Sequence, residues 1–310
     1  MIGPAPSARV DTRLVQSLAK FAERPLSALE DDARRRVLAD KCAAHGATWP
    51  EFVRAARSLW RERDHLVLEG LPGDQPGWLL IASMALSDTA RTYREDQIVK
   101  RFRMSPWTTQ LSHTIRDGHF HTDLNTEPEP PAITAIQCVE PDPDAPSYGC
   151  NRVARIGDLL AHLRQIEDTA TLRFLCDTDV AMANDRRHDT FRGRIVARER
   201  VRYHPETIRT AQRRHNLCAD DIEPRLAAVR CAALAVSRPF WLERGDILFV
   251  SNHRALHYRG ECSVVFEQYP MIFRTREIRV LHLTHEPRPT PDPSSDTSPH
   301  GSQNIPISGA

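Results

Sequence analysis

The segment Gly118-His119-Phe120-His121-Thr122-Asp123 places three metal-binding side chains at a period of two. On an extended strand all three would point to one face. Two of them, joined by one distant histidine, would make a facial set of two histidines and one carboxylate. Such a set leaves three positions open on the metal, which suits an oxygen-activating iron(II) site. Zinc accepts the same donors, so a zinc hydrolase uses ligands of the same kind. The distant histidine has two candidates, His253 and His257, in the run GDILFVSNHRALHYR at 245–259. There Gly245-Asp246 is a turn, ILFV is a buried strand, and the polar residues that follow would stand at its end.

Three arginines come next along the chain, Arg274, Arg276 and Arg279, within a strand-like segment. A guanidinium there suits a dicarboxylate, which it grips through two parallel hydrogen bonds. A second basic stretch carries Arg186, Arg187, Arg192, Arg194, Arg198, Arg200, Arg202 and Arg209. Its bland interpretation is a solvated surface; its sharper one is a lid over the site that recognises an anionic group.

Elements that must position these residues follow from hydrophobic periodicity. Leu14, Leu18 and Phe21 recur at helical spacing, and residues 27–42 and 50–62 are also helical in pattern. A first strand is expected over 65–71, closed by Pro72-Gly73, and a helix over 77–94. Short strands are then expected at 98–103, 110–115, 133–139 and 151–156, a helix at 157–165, and another at 221–237. Strands return at 246–251, 264–272 and 279–283. A run of helices followed by many short strands predicts a mainly β fold with α additions. The organisation expected is a helical region over 1–64, a core over 65–285, in which the family resemblance given below implies a lid insertion near 181–210, and a disordered Pro/Ser-rich tail over 286–310.

Composition limits the alternatives. Formal net charge is +1, from 42 basic and 41 acidic residues, which gives no support to a nucleic-acid partner. Seven cysteines with no CxxC pair suggest reduced thiols in a cytoplasmic protein. The N-terminal MIGPAPSARVDTRLV lacks a basic segment followed by an apolar run, so no signal peptide is expected. The longest apolar stretch, 78–86, is too short to span a bilayer.

Five segments in this order resemble the taurine dioxygenase and clavaminate synthase-like family of iron(II)/2-oxoglutarate oxygenases. They are FHTDLN at 120–125, PPAITAIQCVEP at 130–141, RVRYHPETI at 200–208, GDILFVSNHRALHYR at 245–259 and FRTREIRVLHL at 273–283. The resemblance implies a double-stranded β-helix (jelly-roll) core flanked by helices. It implies His121, Asp123 and His257 as ligands of Fe(II), with Asn252 fixing the choice of His257 over His253. It implies 2-oxoglutarate as cosubstrate, its far carboxylate held by Arg279, with Arg274 and Arg276 as the next choices. Where the family has Gly-Gly-x-Thr/Ser, this chain has Tyr148-Gly149-Cys150-Asn151, so Asn151 stands in for a hydroxyl that contacts the cosubstrate.

The activity implied is hydroxylation of an unactivated C–H bond by dioxygen, with release of succinate and carbon dioxide. Family halogenases lack the carboxylate ligand, so Asp123 favours hydroxylation over chlorination. Desaturation and cyclisation share the same machinery, and a non-catalytic ligand-binding jelly roll is the competing class. The substrate implied is a small molecule, anionic or amino-acid-like, and the residues expected to face it are His119, Arg116, Trp107 and His253.

Overall fold

The computed structural model describes residues 6–93, 96–185, 190–215 and 222–287. The N-terminal strand β1 (Ser7–Arg9) leads into α1 (Thr12–Ala22), α2 (Leu26–Arg34), α3 (Leu38–His45) and α4 (Trp49–Arg63). Next come β2 (His65–Glu69), α5 (Gly77–Ser83), β3 (Lys100–Arg103), β4 (Ile133–Glu140) and β5 (Asn151–Arg155). These are followed by α6 (Ile156–Gln165), α7 (Thr169–Cys176), β6 (Asp179–Ala183), β7 (Thr190–Arg194), β8 (Val196–Ala197) and β9 (Arg200–Val201). The chain closes with α8 (Pro205–His215), α9 (Ile222–Ala235), β10 (Ile247–Ser251), β11 (Ala255–Arg259), β12 (Val264–Gln268), β13 (Ile272–Thr275) and β14 (Glu277–Leu283).

The largest sheet has the order β1-β2-β10-β4-β14-β3, antiparallel except for the β1–β2 edge. Side-chain alternation gives it two different faces. Leu66, Leu68, Ile247, Phe249, Ala135, Leu281 and Leu283 point to one side and pack under α1 to α5. Val67, Leu248, Val250, Ile136, Cys138, Ile278 and Val280 point to the other, towards Val153 of β5 and Ala255 of β11. β5 and β11 pair antiparallel, and their reverse side, with Ala154 and Leu256, packs on α6, α7, α8 and α9. The interior between the large sheet and the β5–β11 pair holds the site described below.

Several sequence expectations change. The helix expected over 27–42 is two helices, because Arg36 takes a left-handed φ of 59° and Val37 N donates back to Asp32 O. The helix expected over 77–94 ends at Ser83. The strand expected over 110–115 is a turn, closed by Thr114 N donating to Gln110 O. The strand expected over 264–272 stops at Gln268, and the chain reverses through Pro270, which has no N–H for a ladder. β1 and the short β6–β7 and β8–β9 pairs were not anticipated. Of the tail expected over 286–310, residues 288–310 lie outside the described residues, as do Arg186 and Arg187.

Gly245, at the entry to β10, has a φ of +95°, and a Cβ there would lie 1.8 Å from Leu71 O. Gly157, on the exposed side of α6, has nothing within 4 Å of a Cβ position. Gly245→Ala is therefore expected to lower stability by at least about 1–3 kcal/mol from backbone strain alone. Gly157→Ala is expected to raise it by roughly 0.4–1 kcal/mol. Urea unfolding followed by circular dichroism checks both signs.

Candidate metal centre

His121 and His257 sit directly opposite each other and exchange both backbone hydrogen bonds, each 3.0 Å. This pairing sets their rings side by side, with centroids 4.2 Å apart. Asp123 enters from the same loop. Its Oδ1 lies 3.6 Å from His121 Nε2 and its Oδ2 3.6 Å from His257 Nε2. One ligand atom from each of His121, Asp123 and His257 lies within 4.8 Å of the others. The loop is fixed by Asn252, whose Oδ1 accepts from Asp123 N at 2.6 Å while its Nδ2 donates to Asp123 O and Pro131 O at 3.0 Å. Asn252 thus ties the end of β10 to the backbone of a ligand.

These residues fit a divalent metal ion. His121 Nδ1 is 3.1 Å from His119 O, so its proton is placed there and Nε2 offers a lone pair. Burial, with His121 adjacent, pushes His257 down to about 3, so it is a neutral donor at ordinary pH. Burial opposes ionisation of Asp123, but His257, His121 and His282 outweigh it and hold its carboxyl well below the usual range. Two imidazoles and one carboxylate thus converge on one point.

The centre lines a cavity of about 230 Å³ together with Phe102, Met104, Leu111, Ile136, Ile278 and Val280. Six polar residues in its wall were missed by sequence reasoning: Ser112, Thr122, Thr134, His204, Arg259 and His282. His282 and Thr134 are register partners on β14 and β4, and both hydrogen-bond Asp123 Oδ2. Their signal lay in the period-two alternation of two strands the sequence had located. His204 stands at the start of α8, where its Nδ1 accepts from Glu206 N at 3.2 Å. It lies in the motif RVRYHPETI and is the one residue of 181–210 in the described wall. Burial and the neighbouring His121 hold its imidazole well below the usual range.

The expected cosubstrate arginines divide sharply. Arg276 is 2% exposed. It donates to Asn151 Oδ1 at 2.8 Å and to Gly149 O at 3.2 Å. Arg279 lies on the opposite face of β14, where it donates to Gly73 O, Gln137 Oε1 and Asp74 O. The structure therefore does not bring Arg279 to the triad, for the plain reason of strand parity: Ile278, Val280 and His282 face the centre and Arg279 does not. Arg274 is exposed and pairs with Glu267 at 3.2 Å.

The residues expected to face substrate are also elsewhere. His119 has a φ of 55°, which breaks the strand and turns its ring towards Asp117 and Glu206 at 3.5 and 3.6 Å. The single-face geometry expected for His119, His121 and Asp123 therefore does not form. Trp107 is 57% exposed and clusters with Phe266 and Tyr269. Arg116 is exposed, and His253 lines a separate surface depression with Arg200, Arg254 and Glu286.

A 2-His-1-carboxylate centre between two sheets is the site of a metal-dependent oxygenase, and the sequence agrees. The family of the taurine catabolism dioxygenase TauD, TfdA matches residues 38–264. The chain belongs to this family, whose members are iron(II)/2-oxoglutarate-dependent dioxygenases. No curated protein matches it in sequence. Among solved structures, asparagine oxygenase in complex with Fe(II), 2S,3S-3-hydroxyasparagine and succinate aligns with a TM-score of 0.70 at 15% identity, over 90% of this chain and 93% of that one. The non-heme iron oxygenase OrfP in complex with Fe, succinate and (3S)-hydroxy-L-Arg aligns with a TM-score of 0.63 at 17% identity, over 90% and 94%. At such identities the likeness speaks to the fold. No helix among the described residues is long and apolar enough to cross a membrane.

His65, His204 and His257 are all held below the ordinary histidine value of 6.5, chiefly by burial. The unfolded chain takes up their protons first as pH falls. Their contribution to stability is complete above pH 6.5 and is lost as pH falls towards 3. The thermal midpoint of the metal-free protein should decline progressively across that window; a midpoint independent of pH there would contradict the burial of these rings.

Proposed function

We propose that this chain hydroxylates a C–H bond of a small, carboxylate-bearing, amino-acid-like molecule, with His121, Asp123 and His257 holding Fe(II) and Arg276 with Asn151 holding 2-oxoglutarate. Bound iron with 2-oxoglutarate supplies the activation of dioxygen and the oxidising equivalents, which leave as succinate and carbon dioxide. The protein's part is to position, orient and exclude water. We also infer that the large sheet and the β5–β11 pair form a jelly-roll core, with residues 1–64 as a helical cover and 181–210 as an insertion at the mouth.

One observation carries the reading: among the described residues, a buried cation without a carboxylate partner is bonded to Asn151, two residues along β5 from the register partner of His257. Among the described residues, Arg276 has no carboxylate partner, and Asn151 Nδ2 is buried with no partner at all. A buried guanidinium without a counter-charge is costly, so the cradle calls for an anion. Asn151 pairs with Arg259, and Val153 with His257 two residues on. Two residues of strand advance about 7 Å, a span that a five-carbon dicarboxylate bridges from the triad. The departure from the family pattern at 148–151 is then functional, since Asn151 both orients Arg276 and offers its own N–H.

The wall also limits the substrate. Among the described residues, Arg259 binds only the carbonyls of Gly260 and Leu111 and the Cys262 thiol. Asp123 is the one acidic residue in the described wall, and it is committed to the centre. A cationic side chain such as that of L-Arg, bound by OrfP, has no counter-charge here. A carboxylate has Arg259 and His204.

Anaerobic addition of Fe(II) and 2-oxoglutarate should produce a weak visible charge-transfer band in the wild type and none in His257→Ala. Arg276→Leu should weaken 2-oxoglutarate by on the order of 2–5 kcal/mol, while Arg279→Leu should leave it unchanged. The reverse ranking would sink the assignment of Arg276. A screen of carboxylate-bearing molecules, read as succinate release and a product heavier by one oxygen, tests the substrate class; a product two hydrogens lighter would indicate desaturation or ring closure.

A further inference from the structure

Asp123 is gripped more closely than a ligand needs. Its Oδ2 accepts from Thr134 Oγ1 at 2.7 Å and lies 3.0 Å from His282 Nε2. On the far side of that ring, Nδ1 of His282 meets the hydroxyl of Tyr93. Burial pushes the Tyr93 phenol up, so it remains a donor. An ionised carboxylate can only accept, so His282 Nε2–H donates to Asp123 Oδ2, while Nδ1 of the same ring is held by the Tyr93 hydroxyl. Backbone bonds from Arg91 N to His282 O and from Tyr93 N to Gln97 O, each 2.8 Å, hold the tyrosine segment against β14.

From this geometry, and resting on the iron-site reading above, we infer that His282, backed by Tyr93, is a positioning residue that confines Asp123 to one-oxygen coordination. Oδ1 and Oδ2 lie equally near the imidazoles, 3.6 Å from His121 Nε2 and His257 Nε2, but two donors on Oδ2 occupy its lone pairs and leave Oδ1 as the oxygen free for the metal. A carboxylate free to rotate would chelate with both oxygens and consume one of the three remaining positions. A two-point cosubstrate and dioxygen need all three. The large sheet thus protects the vacancy through register, because His282 and Thr134 are cross-strand partners.

The test uses the full-length protein with Mn(II) as probe, its binding read from the loss of the free-ion electron paramagnetic resonance signal. His282→Leu should weaken Mn(II) about 10–100-fold, the usual effect of removing an outer hydrogen bond to a ligand. His282→Gln, which keeps an N–H near the Nε2 position, should recover most of that loss. Tyr93→Phe should weaken Mn(II) by less than His282→Leu. Circular dichroism melting establishes that each variant is folded. In the Co(II)-loaded protein, His282→Leu should also weaken 2-oxoglutarate beyond the loss in metal affinity, a result that a merely structural role does not produce. Wild-type Mn(II) affinity in folded His282→Leu, or a Gln variant no better than Leu, would overturn the inference. If His282→Leu does not fold, an unchanged affinity in Tyr93→Phe overturns it. A wild type that binds no Mn(II) would instead remove the metal-site reading on which the inference stands.

Discussion

Two backbone hydrogen bonds between His121 and His257 are the constraint on which the centre depends. The loop that carries His121 and Asp123 belongs to no named strand; Leu124 and His119 both have left-handed φ. Such a loop has little order of its own. It acquires a fixed register only where His121 locks onto β11, and Asn252 then clips the next residues to the end of β10. Two ligands distant in sequence become adjacent because each is the other's ladder partner. A shift of one residue would turn one ring away from the other. The rest of the structure, two sheets and their helical covers, keeps β10 and β11 where that lock can form.

The sequence revealed most of the centre and less of its surroundings, for physical reasons. His121 and Asp123 were legible from their His-x-Asp spacing, the turn at Gly245-Asp246 and the apolar run after it marked the strand end that carries His253 and His257, and the family resemblance at Asn252 chose His257. The choice between Arg276 and Arg279 was not legible. β14 is buried on both faces, so Val280, Leu281 and Leu283 are apolar alike and period two falls silent. A register shift between Glu277 and Ile278 adds to the difficulty. His119 misled for a related reason: period two assumes extended backbone, and its positive φ ends the strand there. His204 stands just before α8 in an arginine-rich stretch, where no strand or helix period singles it out.

Electrostatics ties these pieces together. Among the described residues, Asp123 is the one acid of the cavity wall, and its cation Arg259, like the buried Arg276 behind β5, has carbonyls, an amide or a thiol for company rather than a carboxylate. On the proposed reading such an interior favours anions, since an entering cation would lose its hydration and gain no partner. The apolar wall of Phe102, Met104, Ile136, Ile278 and Val280 sharpens the effect by lowering the local dielectric.

The unpaired guanidinium of Arg276 also bears on the lifetime of the protein. An interior cation that awaits its anion makes the empty fold less secure than the filled one. On the proposed assignment, each molecule of the dicarboxylate that settles against Arg276 draws the folding equilibrium towards the native state, in proportion to the logarithm of its concentration over its dissociation constant. Abundance of the enzyme would then follow the supply of its own cosubstrate: chains made in a starved cell would open more often and meet proteases sooner, and chains made in a replete one would persist.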